Sequence, residues 1–382
     1  MRYRPAATNK NMNRNQKMAD RNMVDRKMKG RTKFALSVIF LSAIFLSQSS
    51  VSSGGRTWAD ESNVSVRRVD SWTNLFAGKP AAMTCEVSSK QAGEATLSWS
   101  LVVSGGVVAR GEKAVTLNAD RAVEVAWDVD LPEVKPGLIV PATLRLAVHP
   151  QDGSPKFEPV DENVTLTICS PDATALRGEW LKSLDIVLFD PAQRTADVFE
   201  RYRIPCRVAD DPQCAGLTKG LILYGEGIDP ARLDAIWGAA IEAASAGRRV
   251  LVLASPGAAV PMEGLLASST DSLRSISLKR NDIIRELDKR LDATAWPKPG
   301  RLVASSLHWT VRGEQPRVEF RDDAEGWPWL LVRHRSGGRL IWLGFGLAES
   351  WEATPTARYL LLKVLEELAT DKPVVEEKQN EN

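Results

Sequence analysis

Gly220-Leu221-Ile222-Leu223-Tyr224, then Asp229-Pro230, then Arg249-Val250-Leu251-Val252-Leu253-Ala254 decides how the second half of the chain folds. Two uninterrupted apolar runs flank a segment that carries helix start and stop signals. Asp229 can cap a helix through its carboxylate, and Pro230 suits the first helical turn. Gly247 fits the position just past the helix end, where the backbone turns left-handed. Strands that lack polar alternation are covered on both faces. With a helix between them, they predict parallel βαβ units.

The same pattern extends in both directions. Residues 184–189 are a continuous apolar strand that ends at Asp190-Pro191, with a helix predicted over 195–202 and a short strand over 204–208. Beyond Ser255 the alternation loosens. A helix is expected over 281–291, strands over 302–310, 317–320, 329–334 and 339–344, and a turn at Ser336-Gly337-Gly338. Thr354-Pro355 opens a last helix, to about Ala369, with Leu360, Val364 and Leu368 on one face. The polar tail 371–382 has the composition of disorder.

Residues 64–170 read differently. Leu97, Trp99, Leu101 and Val103 alternate in strict period two, and Ser104-Gly105-Gly106 ends that strand. Further short strands follow over 107–110, 114–117, 123–127, 143–148 and 164–168, separated by turns such as Lys135-Pro136-Gly137. Short strands with no helical period indicate an antiparallel sandwich. The segment resembles immunoglobulin-like modules of bacterial surface proteins, because Cys85 stands fourteen residues before Trp99, as between strands B and C of that fold. Cys169, however, falls in the last strand instead of the penultimate one.

The formal net charge of +2 conceals an asymmetry. The first 33 residues hold eleven Lys or Arg and two acids, so the leader carries +9 and the remainder −7. A mildly acidic folded part has no electrostatic footprint for nucleic acid. Arg31 and Lys33 precede the apolar run 34–46, which has signal-segment length and is short for a spanning helix. Export to the periplasm, the medium or the outer face of the membrane follows. Cleavage near Gly54 or Asp60 and retention as an uncleaved anchor both fit, and only the anchor would bring membrane contact.

Four cysteines in an exported chain permit disulfides. Cys206 and Cys214 could close a small loop, and Cys85 and Cys169 could link an early and the last strand of the sandwich. Four free buried thiols is the other reading. No CxxC or HxxxH spacing points to a metal.

The order of elements over 180–370 resembles the class I glutamine amidotransferase-like fold, a flavodoxin-type three-layer domain. The likeness rests on residues 249–254 and on Gly338-Arg339-Leu340-Ile341-Trp342-Leu343-Gly344 before the last helix. It is to the non-catalytic versions found in exported bacterial proteins beside β-sandwiches or glycoside hydrolase modules. The resemblance implies a nucleophilic Cys on a tight turn in active members. Here that turn is Leu253-Ala254-Ser255-Pro256-Gly257, with no Cys. If Ser255 replaced it, Pro256 would still lack the backbone N–H that an oxyanion needs. None of the three histidines, His149, His308 and His334, sits in a His-x-Glu pattern.

The reading is therefore two domains. A leader and signal segment (1–59) precedes an immunoglobulin-like sandwich (60–170), a linker (171–179), a three-layer α/β domain (180–370) and the tail (371–382). The expected function is non-catalytic: binding of a protein partner or a glycan, with no cofactor. The competing reading is a hydrolase at the carboxyl ends of the α/β strands, where ligands bind in such sheets. Its acids would be Asp190 and Glu226, and its nucleophile Ser255. Against it, Asp190-Pro191 also makes a turn, and Gly225 and Gly227 also let the chain bend. For a glycan, Trp327-Pro328-Trp329 offers indole faces that could stack on sugar rings; the alternative is that both rings fill the core.

Overall fold

The computed structural model describes residues 63–70, 72–153, 157–213, 217–257, 259–261, 273–296, 305–312, 315–321 and 326–370. The apolar run 34–46, Cys214 and the tail 371–382 lie outside the described residues. The described residues fall in one compact unit. No described helix is long and apolar enough to cross a membrane.

The first half is two facing sheets. One has the order β1-β3-β6, from Val64–Arg68, Pro80–Ser89 and Val123–Asp130. The other has the order β2-β8-β7-β4-β5, from Asn74–Phe76, Val160–Cys169, Ile139–Pro150, Gly93–Val103 and Gly106–Leu117. Period-two alternation explains the shared core. Met83, Cys85 and Val87 of β3 face Leu97 and Leu101 of β4 and Leu144, Leu146 and Val148 of β7, all essentially inaccessible. Ser98, Ser100, Arg145 and Ala147, between those positions, point outward. Trp99 stacks on Trp127 at 6.1 Å between centroids. It also lies across Gly111, where a Cβ would fall 2.6 Å from the indole.

The second half centres on a seven-stranded sheet of order β10-β9-β11-β12-β18-β17-β14. Its strands are Arg207–Ala209, Val187–Phe189, Leu221–Tyr224, Arg249–Val252, Arg339–Leu343, Trp329–His334 and Leu273–Lys279. The first five run parallel and the last two antiparallel. A separate sheet, β13-β16-β15, is formed by Ala259–Pro261, Gln315–Arg321 and Ser306–Arg312. The described helices are α1 (Gly178–Ser183), α2 (Arg194–Arg201), α3 (Pro230–Ser245), α4 (Ile283–Leu287) and α5 (Pro355–Ala369). Asp229 caps α3 by accepting from Ala231 N at 2.9 Å, and Gly247 takes φ +89° just past its end.

Helix α3 and the small sheet's Val318 and Phe320 pack on one face of the large sheet, against Val250, Leu340 and Trp342. On the other face, α5 packs against Leu223, Leu251 and Ile341. Its sequence shows one apolar stripe, yet it is buried nearly all round, and only Lys363, Glu366, Glu367 and Ala369 are partly exposed. The facing sheets cover its other side. Thr356 Oγ1 donates to Asn74 Oδ1 at 2.7 Å, and Tyr359 Oη donates to Leu138 O at 3.2 Å. The Arg358 guanidinium donates to Trp351 O at 2.8 Å and lies 4.4 Å from the Phe76 ring and 4.5 Å from that of Tyr202. Asn74 also donates to Arg290 O at 2.9 Å and accepts from Asp292 N at 2.5 Å. Within 171–179, Ala173 joins the same core and Arg177 pairs with Glu366.

The expected fold class, an immunoglobulin-like sandwich plus a three-layer α/β domain, is corrected by this architecture. The described residues are predominantly β, in four sheets, and only α3 and α5 exceed ten residues. The physical cause lies between β12 and β18. No long helix is described there; β13 to β17 are short strands that pair antiparallel, and the helix expected over 281–291 closes after five residues. In the first half β2 runs parallel to β8. Cys85, Cys169 and Cys206 are free thiols. Cys85 faces the core between the paired sheets and Cys169 the core under α5, so no bridge joins them. Burial pushes both thiols up to about 12.

Candidate functional site

The strand ends bring Asp190 and Glu226 to one place, through Thr195. Asp190 follows β9, and its Oδ2 accepts from Thr195 N at 2.7 Å and Ala196 N at 2.8 Å. These are amides of the first turn of α2, whose own N-cap residue, Gln193, makes no side-chain cap. Such amides have no partner within the helix, and a carboxylate there also complements the helix dipole. Thr195 Oγ1 in turn accepts from Glu226 N at 2.9 Å. Gly225 is required between the two acids, because a Cβ would lie 2.4 Å from Asp190 Oδ1.

Glu226 follows β11 and is wholly inaccessible. Its Oε2 accepts from Ala348 N at 2.8 Å and its Oε1 from Glu349 N at 3.1 Å. It therefore holds the loop that leaves β18. Burial pushes its carboxyl up to about 7, against the pull of those two N–H groups and of Arg194, and with the charge of Glu349 adding to the push. Burial also raises Asp190, against the backbone N–H groups that face it.

Ser255 follows β12 and is also fully buried. Its Oγ points back to Leu253 O at 3.5 Å, and its carbonyl accepts from Ser305 Oγ at 2.8 Å. No histidine stands beside it in the hydrogen-bond pattern. His149 is exposed on β7, His308 lies on β15 opposite Glu319, and His334 is buried on β17, where burial lowers its pKa. Among the described residues no group of three or more His, Cys, Asp or Glu could hold a metal ion. The three strand-end candidates thus bind backbone, and each is closed to solvent.

The two tryptophans separate. Trp329 is 2% exposed and sits in the core under α5, so its ring offers no sugar platform. Trp327 is half-buried, with the Arg280 guanidinium 5.3 Å over its ring.

Sequence reasoning passed over the outer face of the five-stranded sheet. There a concave space of about 860 Å³ spans β5, β4, β7 and β8. No residue of the facing sheet lines it, which places it on the solvent side. The period-two polar residues were visible in the sequence, but their alignment across four strands was not.

No protein-family model and no curated protein matches the chain. Solved structures similar to part of the chain include three of different kinds. A β-glucosidase from Listeria innocua in complex with glucose is 14% identical at TM-score 0.20, covering 28% of this chain and 16% of that one. The C-terminal domain of wzt is 7% identical at TM-score 0.23, covering 29% and 74%. The ASH/PapD-like domain of human CEP192 is 14% identical at TM-score 0.20, covering 29% and 87%. This chain thus spans only a small part of the β-glucosidase, and at these TM-scores the likeness carries neither fold nor activity across.

Proposed function

We propose that the chain is a non-catalytic binding protein of the bacterial envelope, exported by its N-terminal segment, with a glycan or a protein as partner. The observation that supports this most is the use of Glu226: its two oxygens are occupied by Ala348 N and Glu349 N, and the residue is fully buried. A general acid must reach the group it protonates, within about 3 Å or through one water. The export half of the proposal rests on the basic leader and the apolar run 34–46.

One observation favours the hydrolase reading. A carboxyl pushed up to about 7 by burial is what a general acid at neutral pH has. The two readings part in a direct assay. The full chain is incubated with chromogenic esters, anilides and glycosides, and the expected result is no turnover above the buffer rate. Turnover that disappears in Glu226→Gln or Asp190→Asn, with the fold retained, overturns the proposal. Export is checked by fractionation: Phe40→Arg or Leu41→Arg should hold the protein in the cytoplasm. Equal export of variant and wild type would count against the signal reading.

A further inference from the structure

The concave face on β5, β4, β7 and β8 has a regular chemical layout. One rung runs Arg110, Ser100, Arg145, Asn163 across the four strands, and the next runs Glu112, Ser98, Ala147, Asp161. From ordinary sheet spacings, each rung is about 14 Å wide and the two are about 7 Å apart. The middle of the array is floored by Ser98, Ser100 and Ala147, short and half-buried, while the longer Arg110, Glu112, Arg145, Asp161 and Asn163 are exposed around it. Three short residues on the two inner strands, bordered by Arg145 on β7 and by the longer side chains of β5 and β8, make the hollow of about 860 Å³, which falls within the range of roughly 300–1,000 Å³ of small-ligand sites.

The layout restricts the ligand class. Of the outward-facing lining residues, two arginines and two carboxylates cancel, and the third carboxylate of the lining, Glu162, stands beside Arg67 and Arg68, so the face lacks the positive excess that a polyanion such as nucleic acid requires. It offers side chains, not a free backbone ladder, so it does not suit strand addition by a peptide. Trp99 and Leu146 also line it, but their side chains belong to the inward-facing set, and among the outward-facing floor groups only the methyl of Ala147 is apolar, so the face does not suit an apolar ligand. What remains is an uncharged molecule dense in groups that both donate and accept. Serine hydroxyls and the asparagine amide do both, guanidinium groups donate and carboxylates accept.

Resting on the reading of the chain as a binding protein, we infer that this face binds a neutral oligosaccharide. The sugar lies across the four strands, with its hydroxyls between the arginine rung and the carboxylate rung. The sheet fixes the backbone positions of the array, while its exposed arginine and carboxylate side chains lose rotamer freedom on binding.

The test is isothermal titration of the full chain with cellohexaose, maltohexaose, chitohexaose and a β-1,3-linked glucose hexaose. Ser100→Trp fills the floor, and Arg145→Ala removes one charged donor. Both positions face outward, and unchanged thermal unfolding confirms that each variant folds; Asn163→Ala serves if either does not. At least one hexaose is expected to bind. Ser100→Trp should abolish the signal, and Arg145→Ala should weaken binding about tenfold, the loss of one good hydrogen bond to a charged group. Absence of binding by all four up to millimolar concentration overturns the inference. So does binding that Ser100→Trp leaves unchanged, although the broader binding-protein reading then stands. If a hexaose is shortened during incubation and Glu226→Gln stops this, the non-catalytic reading fails, whatever the face variants do.

Discussion

Replacing Glu226 by Gln should change how stability depends on pH, by an amount that follows from burial. In the folded chain burial pushes the carboxyl up to about 7 from the 4.5 of a free glutamate side chain. The folded state therefore holds this proton more tightly than the unfolded state. The stabilisation is fully present below the unfolded value of 4.5 and is lost as pH rises through about 7. At about 1.4 kcal/mol per unit, the wild type loses about 3 kcal/mol between pH 4.5 and pH 8 through this one group. Gln does not titrate. It keeps one oxygen to accept from Ala348 N or Glu349 N, but its NH₂ cannot accept from the other, so the variant carries a loss of about 1–3 kcal/mol that does not change with pH. The pH-dependent part of the difference is therefore counted from the value at pH 5. By pH 8 the variant should have gained about 3 kcal/mol relative to wild type. Urea unfolding of both at pH 5, 6, 7 and 8 reads this difference, and contributions from other groups cancel. A difference that stays flat across the series refutes the reasoning, because Glu226 would then carry the same proton affinity folded and unfolded.

Asn74→Ala removes three hydrogen bonds between the facing sheets and the second half, and leaves Arg290 O and Asp292 N without that partner. It should cost about 2–6 kcal/mol, at about 1–3 for each stranded group, and lower one shared thermal transition. Two calorimetric transitions in the wild type, only one of them shifted, would contradict the single compact unit. Trp329→Ala should cost about 3–5 kcal/mol, the range for an aromatic lost from a core. Trp327→Ala should cost clearly less in the same denaturant series, and equal losses would count against the assigned burial of Trp329. Alkylation of Cys85 and Cys169 should be complete in denaturant without reductant and negligible in the native state, because both thiols are buried and held up at about 12. A disulfide-linked Cys85–Cys169 peptide in a non-reducing digest would contradict it.

Much of the strand and helix inventory was legible, because local signals and burial agree. The continuous apolar runs at 221–224 and 249–252 are parallel strands, and Asp229, Pro230 and Gly247 bound the helix between them. The alternation about Leu97 is a strand with one face inside. What was not legible depends on distant partners. Leu273–Lys279 has no strong pattern of its own and becomes a strand by pairing with Trp329–His334. Asn74–Phe76 has only three residues and is fixed by pairing with β8. The stripe on α5 predicted one buried face, and nothing local announced that Thr356, Arg358 and Tyr359 would be covered from the other side.

The strand-end candidates show the same division. Sequence placed Asp190, Glu226 and Ser255 at the ends of β9, β11 and β12, where the structure has them. It could not show that a loop more than a hundred residues away would bring Ala348 N and Glu349 N onto the Glu226 carboxylate. That contact turns an apparent acid pair into a structural clasp. The arrangement of Ser98, Ser100, Arg145 and Asn163 was likewise hidden, since it requires the register of three neighbouring strands.

The most direct test of the central claim, that the strand ends are closed and structural, is amide hydrogen exchange at Ala348 and Glu349 in the full chain. If the Glu226 carboxylate holds both amides, they should exchange slowly in wild type, and replacement of Glu226 by Ala should bring their exchange close to that of an open loop. Fast exchange at both positions in wild type would mean that the carboxylate is free and open to solvent, and would contradict the account.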